Sequence, residues 1–349
     1  IAQKSQKIGA SDQAIEFKIS SLAPGEYPVS VRLLSKGRPV AESKLTLVKH
    51  PPAPKGVKEV KIDKENMYIL MDGKPFFLIG QCGYESSPEH MKILKDLGLN
   101  TWYCFPFAGR WAKLNQLLHN GDIAEIESFF LDCAQPFLDR AEKYKMMVGM
   151  ALCRITGAYN YRDIGKKLSR ATMKKRLSTN VPLLLKSIRN HPNLFFHSPF
   201  DEPGDSYIDL SMAFYEVLKK NDPYHPVFLV APGLDKKTIR ACDLPFTDHY
   251  WDPFTGTPLS IVARLERARA KTDKLHLPLI EMPALSLWSG AGRERTPMEM
   301  DCETYLILIH GARGGVFWFG HMPRNPEGIA AWKKIVSELN ALVPIILEK

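Results

Sequence analysis

The chain has 349 residues, of which 45% are apolar, enough to bury a large core with room for a smaller domain beside it. No run approaches the roughly 20 apolar residues that a bilayer crossing needs, so no membrane span is expected. The net charge of +9 would favour an acidic partner, but the cations are scattered in short clusters such as Lys166–Lys167 and Lys174–Lys175–Arg176, with no basic stripe or binding motif, and no nucleic-acid partner is expected.

The opening residues, Ile1–Ala2–Gln3–Lys4, show neither an initiator Met nor a signal-peptide pattern and read as a processed chain or a segment cut from a longer one. Residues 1–50 read as β structure. Ile15–Ile19, Tyr27–Leu34 and Ala41–Val48 are alternating or β-branched, and Pro24–Gly25 and Lys36–Gly37 punctuate them as turns. Three or four strands fall short of the about seven of a closed sandwich, so this region is expected to be part of an immunoglobulin-like β-sandwich. Residues 51–65 read as a linker, stiffened at its start by His50–Pro51–Pro52–Ala53–Pro54.

Over residues 66–349 short apolar runs alternate with long amphipathic ones, the pattern of βα units around a parallel sheet. Strands are expected at Phe76–Gly80, Thr101–Phe105, Met146–Leu152, Leu194–Ser198, Val227–Val230, Phe246–Tyr250, Leu277–Glu281 and Gly315–Phe319. Helices are expected near 88–97, 124–143, 173–189, 206–220, 235–241, 258–271, 298–311 and 327–342. Eight such units match an α/β fold of the (β/α)8 (TIM) barrel type in both count and length. The rival, a doubly wound open sheet, usually has fewer strands and a Gly-rich first turn, and no GxGxxG follows the first strand here.

In such a barrel, function collects where the strands end. Glu202 ends the fourth strand region and Glu281 the seventh, nearly opposite one another across the mouth. Glycoside hydrolysis needs two carboxyl groups flanking the scissile bond, about 5–5.5 Å apart for retention and about 6.5–9.5 Å for inversion. A single glutamate at a strand end is as readily a solvated or helix-capping group; the pair is what points to this chemistry. Among the aromatic residues near strand ends, Trp251 and Trp318 are the candidates to stack on a sugar face, while Tyr84, Trp102, Trp111 and Trp288 read as packing. Glu85, Asp248 and His249 are candidates to contact hydroxyls.

Cys82, Cys104 and Cys153 end three consecutive strands and read as small buried rim residues rather than a thiolate metal set. With no CxxC among the six cysteines, the redox compartment stays open. Asp201, Asp205 and Asp248 with His249 or His321 would suit a barrel metal hydrolase, but Gln81–Cys82–Gly83 stands where that class carries His-x-His. Neither a metal nor a cofactor is expected.

The run Arg189–Asn190–His191–Pro192–Asn193, an apolar strand, then Asp201–Glu202–Pro203, resembles the strand-four signature of the clan A retaining glycoside hydrolases, in particular the beta-galactosidase/beta-glucuronidase and cellulase/mannanase families. Met71–Asp72–Gly73–Lys74–Pro75–Phe76 is similar to the entry into their barrels, and the β-rich start is similar to the sandwich domains that precede it in the first family. The resemblance implies Glu202 as acid/base, Glu281 as nucleophile, Tyr250 as a hydrogen-bond donor to that nucleophile and Trp318 as the platform beneath the sugar. Asp201 stands where the clan usually has an Asn that binds the sugar 2-hydroxyl. Its charge would raise the proton affinity of Glu202, or it marks an unusual substrate or a lost activity. The Arg that some members carry on strand two is missing, with Arg154 a substitute.

The resemblance further implies retaining cleavage of a β-linked glycoside in an oligo- or polysaccharide. A carbohydrate is then the expected partner, and the family leans towards a secreted or periplasmic location. The alternative is a carbohydrate-binding barrel without catalysis. The long loops at 106–123 and 154–172 would wall off a pocket, which leans towards exo action.

Overall fold

A computed structural model describes residues 19–84, 87–153, 155, 169–231, 234, 238–251, 254, 256–283, 293–318 and 325–348. The chain divides into two compact units, Ile1–Ala53 and Pro54–Lys349. In the first, β1 (Gly25–Ser35) and β2 (Arg38–Lys49) form an antiparallel hairpin whose turn places Gly37 at φ +78°, where a side chain would be strained. Register pairs Val29 with Leu45 and Val31 with Ser43 on one face, and Ser30 with Lys44 and Arg32 with Glu42 on the other. The hairpin is therefore amphipathic, as its alternation requires. Of the strand expected at Ile15–Ile19, all but Ile19 lies outside the described residues.

The second unit opens with a three-stranded antiparallel sheet, β3 (Val60–Asp63), β4 (Tyr68–Met71) and β5 (Lys74–Phe76). Thus β3 falls inside the stretch read as linker. Eight strands then make one sheet: β6 (Leu78–Gly83), β7 (Thr101–Cys104), β8 (Met147–Ala151), β9 (Leu194–Ser198), β10 (Phe228–Val230), β11 (Leu244–Thr247), β12 (Leu279–Glu281) and β13 (Ala312–Trp318). All their pairings are parallel, and a bridge from His197 to Val227 brings β9 to β10, so the sheet is a nearly closed TIM barrel. Every expected barrel strand is present within a few residues.

Around the sheet stand α1 (Pro88–Asp96), α2 (Trp111–Asn120), α3 (Ile123–Lys143), α4 (Arg170–Ile188), α5 (Ile208–Asn221), α6 (Val262–Leu275), α7 (Pro297–Ile309) and α8 (Pro326–Ile346). Side chains at Ser87, Asp122, Ser169, Thr296 and Asn325 accept backbone N–H groups at five of the starts. The stretch 106–123, read as a long loop, in fact holds α2, which ends on Gly121 at φ +78°. Between β10 and β11 the described residues hold only a 3-10 turn, Thr238–Ala241. Among the described residues no helix is long and apolar enough to cross a membrane.

The lumen is filled by rings, as a barrel of this size requires. Phe196 stacks on Phe228 at 4.4 Å and meets Tyr103 and Phe246 at 5.4 and 5.5 Å. Gly149 makes this layer possible, because a Cβ there would lie 2.0 Å from the Phe196 ring. Since Phe196 points in, His197 points out. Its Nε2 and the Nδ1 of His225 each lie 2.8 Å from Asp222 Oδ2, and Asp222 Oδ1 accepts the N–H groups of Tyr224 and His225 at 3.1 and 3.3 Å. An ionised carboxylate can only accept, so both rings donate. Burial works to raise the Asp222 pKa, but the bonds from His197 and His225 outweigh it and hold the carboxyl well below its usual range.

The three ligand atoms are close enough for a cation to share. A metal would have to break both hydrogen bonds, and it would leave His197 Nδ1 and His225 Nε2, which are buried without partners, carrying protons that nothing accepts. The network is structural.

Candidate active site

After β9 the chain turns through Phe200, which is buried edge-on against Phe214 of α5 at 5.5 Å. This anchor delivers Asp201 and Glu202 to the barrel mouth. Glu202 has φ +44°, the left-handed region that a residue with a side chain occupies only at a cost. Asp201 is open to water yet ringed by protein; that crowding and the charge of Glu202 push it up to about 6.

The end of β11 supplies the facing groups. Asp248 is 6% exposed and lies beside Glu202. Burial, then Glu202, then Glu281 and Asp201 push Asp248 up to about 10. Its Oδ1 is buried with no partner. The Tyr250 hydroxyl is raised by burial and by the charges of Asp248, Cys82, Asp201 and Glu202, which places it with this group.

Glu281 is fully buried. Its carboxyl accepts the His249 N–H at 2.7 Å, the His249 ring Nδ1 at 3.2 Å and the Thr247 hydroxyl. Phe246 pairs in register with Ile280, and Thr247 with Glu281. Because the Phe246 ring belongs to the lumen layer, Ile280 shares that face and Glu281 leaves β12 from the other. On its far side His249 borders a cavity of about 370 Å³, which Asp248 also touches and which Arg264, Arg267 and Lys271 of α6 line.

The structure thus gathers Asp201, Glu202, Asp248 and Tyr250 at the mouth and ties Glu281 to Thr247 and His249. The hydrogen bonds to Glu281 that were expected from Tyr250 come instead from these two residues. Trp251, expected to stack on a sugar, is buried in packing: its indole N–H donates to Glu303 at 2.9 Å, and the Arg295 guanidinium covers its ring at 4.9 Å while pairing with Glu303. Trp318 is half-buried on the lumen side, edge-on to Phe105 at 6.5 Å, with a buried indole N–H that has no partner.

Phe105 in turn meets the exposed Tyr84 at 4.9 Å, so the three rings form a continuous aromatic wall; reading the sequence singled out Trp318 but took Tyr84 as packing. Thr247 was missed too, since a lone threonine in an apolar strand carries no signal of its own. Glu85, Arg154, Trp288 and His321 lie outside the described residues. Cys82, Cys104 and Cys153 are buried at the rim, and the Cys104 thiol lies against Met150 Sδ at 3.7 Å. Burial raises the Cys82 and Cys104 thiols, which opposes the thiolate form a metal would need.

No family model matches the sequence, and no curated protein matches it. Solved structures do. A beta-glucuronidase of an uncultured Clostridium species aligns over 90% of this chain and 63% of its own length, with a TM-score of 0.58 and 14% identity. The beta-glucuronidase of Bifidobacterium dentium, complexed with coumarin-3-O-glucuronide, aligns over 91% of this chain and 54% of its own, with a TM-score of 0.57 and 15% identity. The glycoside hydrolase family 5 mannosidase of Rhizomucor miehei aligns over 84% of this chain and 99% of its own, with a TM-score of 0.56 and 12% identity. This chain spans from 37% to 63% of the length of the beta-glucuronidases it matches. At such identities the likeness is one of architecture: the chain shares its TIM-barrel fold with these glycosidases.

Proposed function

We propose that this barrel is a retaining glycoside hydrolase acting on a β-linked glycoside, with Glu202 as acid/base and Glu281 as nucleophile. The observation that carries the reading is Glu202 itself: a carboxyl held in a strained backbone at the mouth, with the buried carboxyl of Asp248 beside it. Strain of this kind persists where the surroundings enforce it, and it clusters at working sites. Glu202 protonates the departing oxygen while Glu281 attacks the anomeric carbon; water, deprotonated by Glu202, then releases the sugar. Trp318 and Phe105 offer a face for the ring. To attack, the Glu281 carboxyl must turn into the mouth and give up its bonds from Thr247 and His249.

That requirement favours a second reading, a carbohydrate-binding barrel without turnover, because three donors already satisfy Glu281 where it sits. A panel of aryl β-glycosides separates the two. The enzyme reading expects release of the aglycone with retention at the anomeric carbon by proton NMR. It also expects about a 10²–10⁴-fold loss in Glu202→Gln, with a severe loss in Glu281→Gln. Full activity in Glu281→Gln removes that residue as nucleophile. Sugar binding with no turnover across the panel selects the second reading.

A further inference from the structure

We infer that the cavity between the end of β11 and α6 is a binding site for a phosphate group, free or carried by a small molecule, held by Arg264, Arg267 and Lys271. The site does not rest on the hydrolase reading.

The helix places the cations. Arg264, Arg267 and Lys271 stand at spacings of three and four in α6, which gathers them within about a third of the helix circumference. The acids of the same helix, Glu266 and Asp273, fall on the opposite side, where Asp273 pairs with Arg269. Charge on α6 is therefore sorted by face, and the positive face borders the cavity.

The cavity measures about 370 Å³, within the range of about 300–1,000 Å³ that small-molecule sites occupy. Its remaining wall is Leu234, Asp248, His249 and Ala268, all buried, whereas the three cations are exposed. One side of the site is thus fixed by packing and the other is open for a ligand to enter.

The two arginines are not already neutralised. Arg264 Nη1 donates to the Tyr250 carbonyl at 3.2 Å, an uncharged partner. Arg267 makes no hydrogen bond or ion pair among the described residues. Asp248 is the one carboxyl on the wall among the described residues. Burial, then Glu202, Glu281 and Asp201 push it up to about 10, so near neutral pH it meets an anion as an uncharged group.

Phosphate is the anion that these groups fit. An arginine fork meets two phosphate oxygens side by side, and Lys271 adds a point charge. A carboxylate offers two oxygens and one charge. A phosphate near neutral pH carries close to two charges over three or more oxygens, enough to engage three cations at once. His249 joins the site to Glu281: its backbone N–H and ring Nδ1 lie 2.7 and 3.2 Å from the Glu281 carboxyl, and the same residue borders the cavity.

Isothermal titration calorimetry on the full chain at about pH 7 tests the site with sodium phosphate, phenyl phosphate and sodium acetate as probes. Both phosphates are expected to bind, and acetate at least about tenfold more weakly. Arg267→Gln is expected to weaken phosphate by about tenfold or more, while Lys333→Gln, an exposed position on α8, leaves it unchanged. Phenyl phosphate that binds at least as well as the free ion supports a carried phosphate; its rejection beside retained sodium phosphate supports the free ion. Absence of binding by both phosphates to the wild type overturns the proposal and needs no variant that folds. Unchanged binding in Arg267→Gln puts the phosphate elsewhere and overturns it, and equal losses in the two variants reduce the effect to net charge and overturn it. Acetate binding as tightly as phosphate overturns the choice of anion. If no glycoside is turned over while phosphate binds, the hydrolase reading fails and the site stands.

Discussion

Asp222 and Asp248 are both buried aspartates, one behind the barrel wall and one at its mouth, and they meet opposite fates. Asp222 accepts four N–H donors and stays ionised. Asp248 is pushed up to about 10 by burial and by the neighbouring Glu202, Glu281 and Asp201. Burial disfavours charge at both positions; what decides the outcome is whether the neighbours donate or accept. The wall has been built to satisfy its carboxylate, and the mouth has been built to leave its own in conflict.

The strongest way to break this contrast is Asp222→Ala. It strands two ring N–H groups and two backbone N–H groups in the interior, and a loss of about 3–5 kcal/mol in urea unfolding is expected. A loss below about 1 kcal/mol would show that the wall network contributes little. Asp248→Asn should act with the opposite sign, because the amide cannot carry a charge where burial and neighbouring carboxyls oppose one. A gain of about 0.5–2 kcal/mol near neutral pH is expected, and a clear loss would contradict the crowded-mouth picture.

The gentlest test is pH. His197 is lowered by burial, against the pull of Asp222, and Asp222 is lowered by its donors. Both therefore bind protons more readily when unfolded, so stability falls as pH drops below about 6.5 and falls further below about 4. Asp248 has the reverse sign: its proton is held more tightly in the folded chain, so the help it gives folding fades as pH rises from about 4 towards about 10. Urea midpoints between about pH 7 and pH 9 should decline in the wild type and flatten in Asp248→Asn. Parallel lines would remove Asp248 from the account.

The barrel was legible in the sequence because each strand is a short apolar run between amphipathic stretches, and that rhythm survives errors of a few residues. Facing was not. Leu279–Ile280 is apolar on both sides, as strands buried on both faces are, so nothing in it tells which side Glu281 takes. The helix α2 stayed hidden because Arg110 makes no side-chain cap at its start, and β3 because it sits among linker-like residues. Asp248 was visible as a polar residue at a strand end. Its nearness to Glu202 was not, since the two come from different strands that only the closed sheet brings together. Trp251 misled for a related reason: its partners Arg295 and Glu303 lie far along the chain.

The backbone of Glu202 carries a consequence for how such a chain tolerates change. At φ +44° glycine would be the more stable residue, by about 1 kcal/mol, because it has no Cβ to crowd the following carbonyl. Glu202→Gly would therefore toughen the fold while erasing the carboxyl. The Glu202 carboxyl therefore stands at a position whose backbone geometry favours a residue that could not carry it.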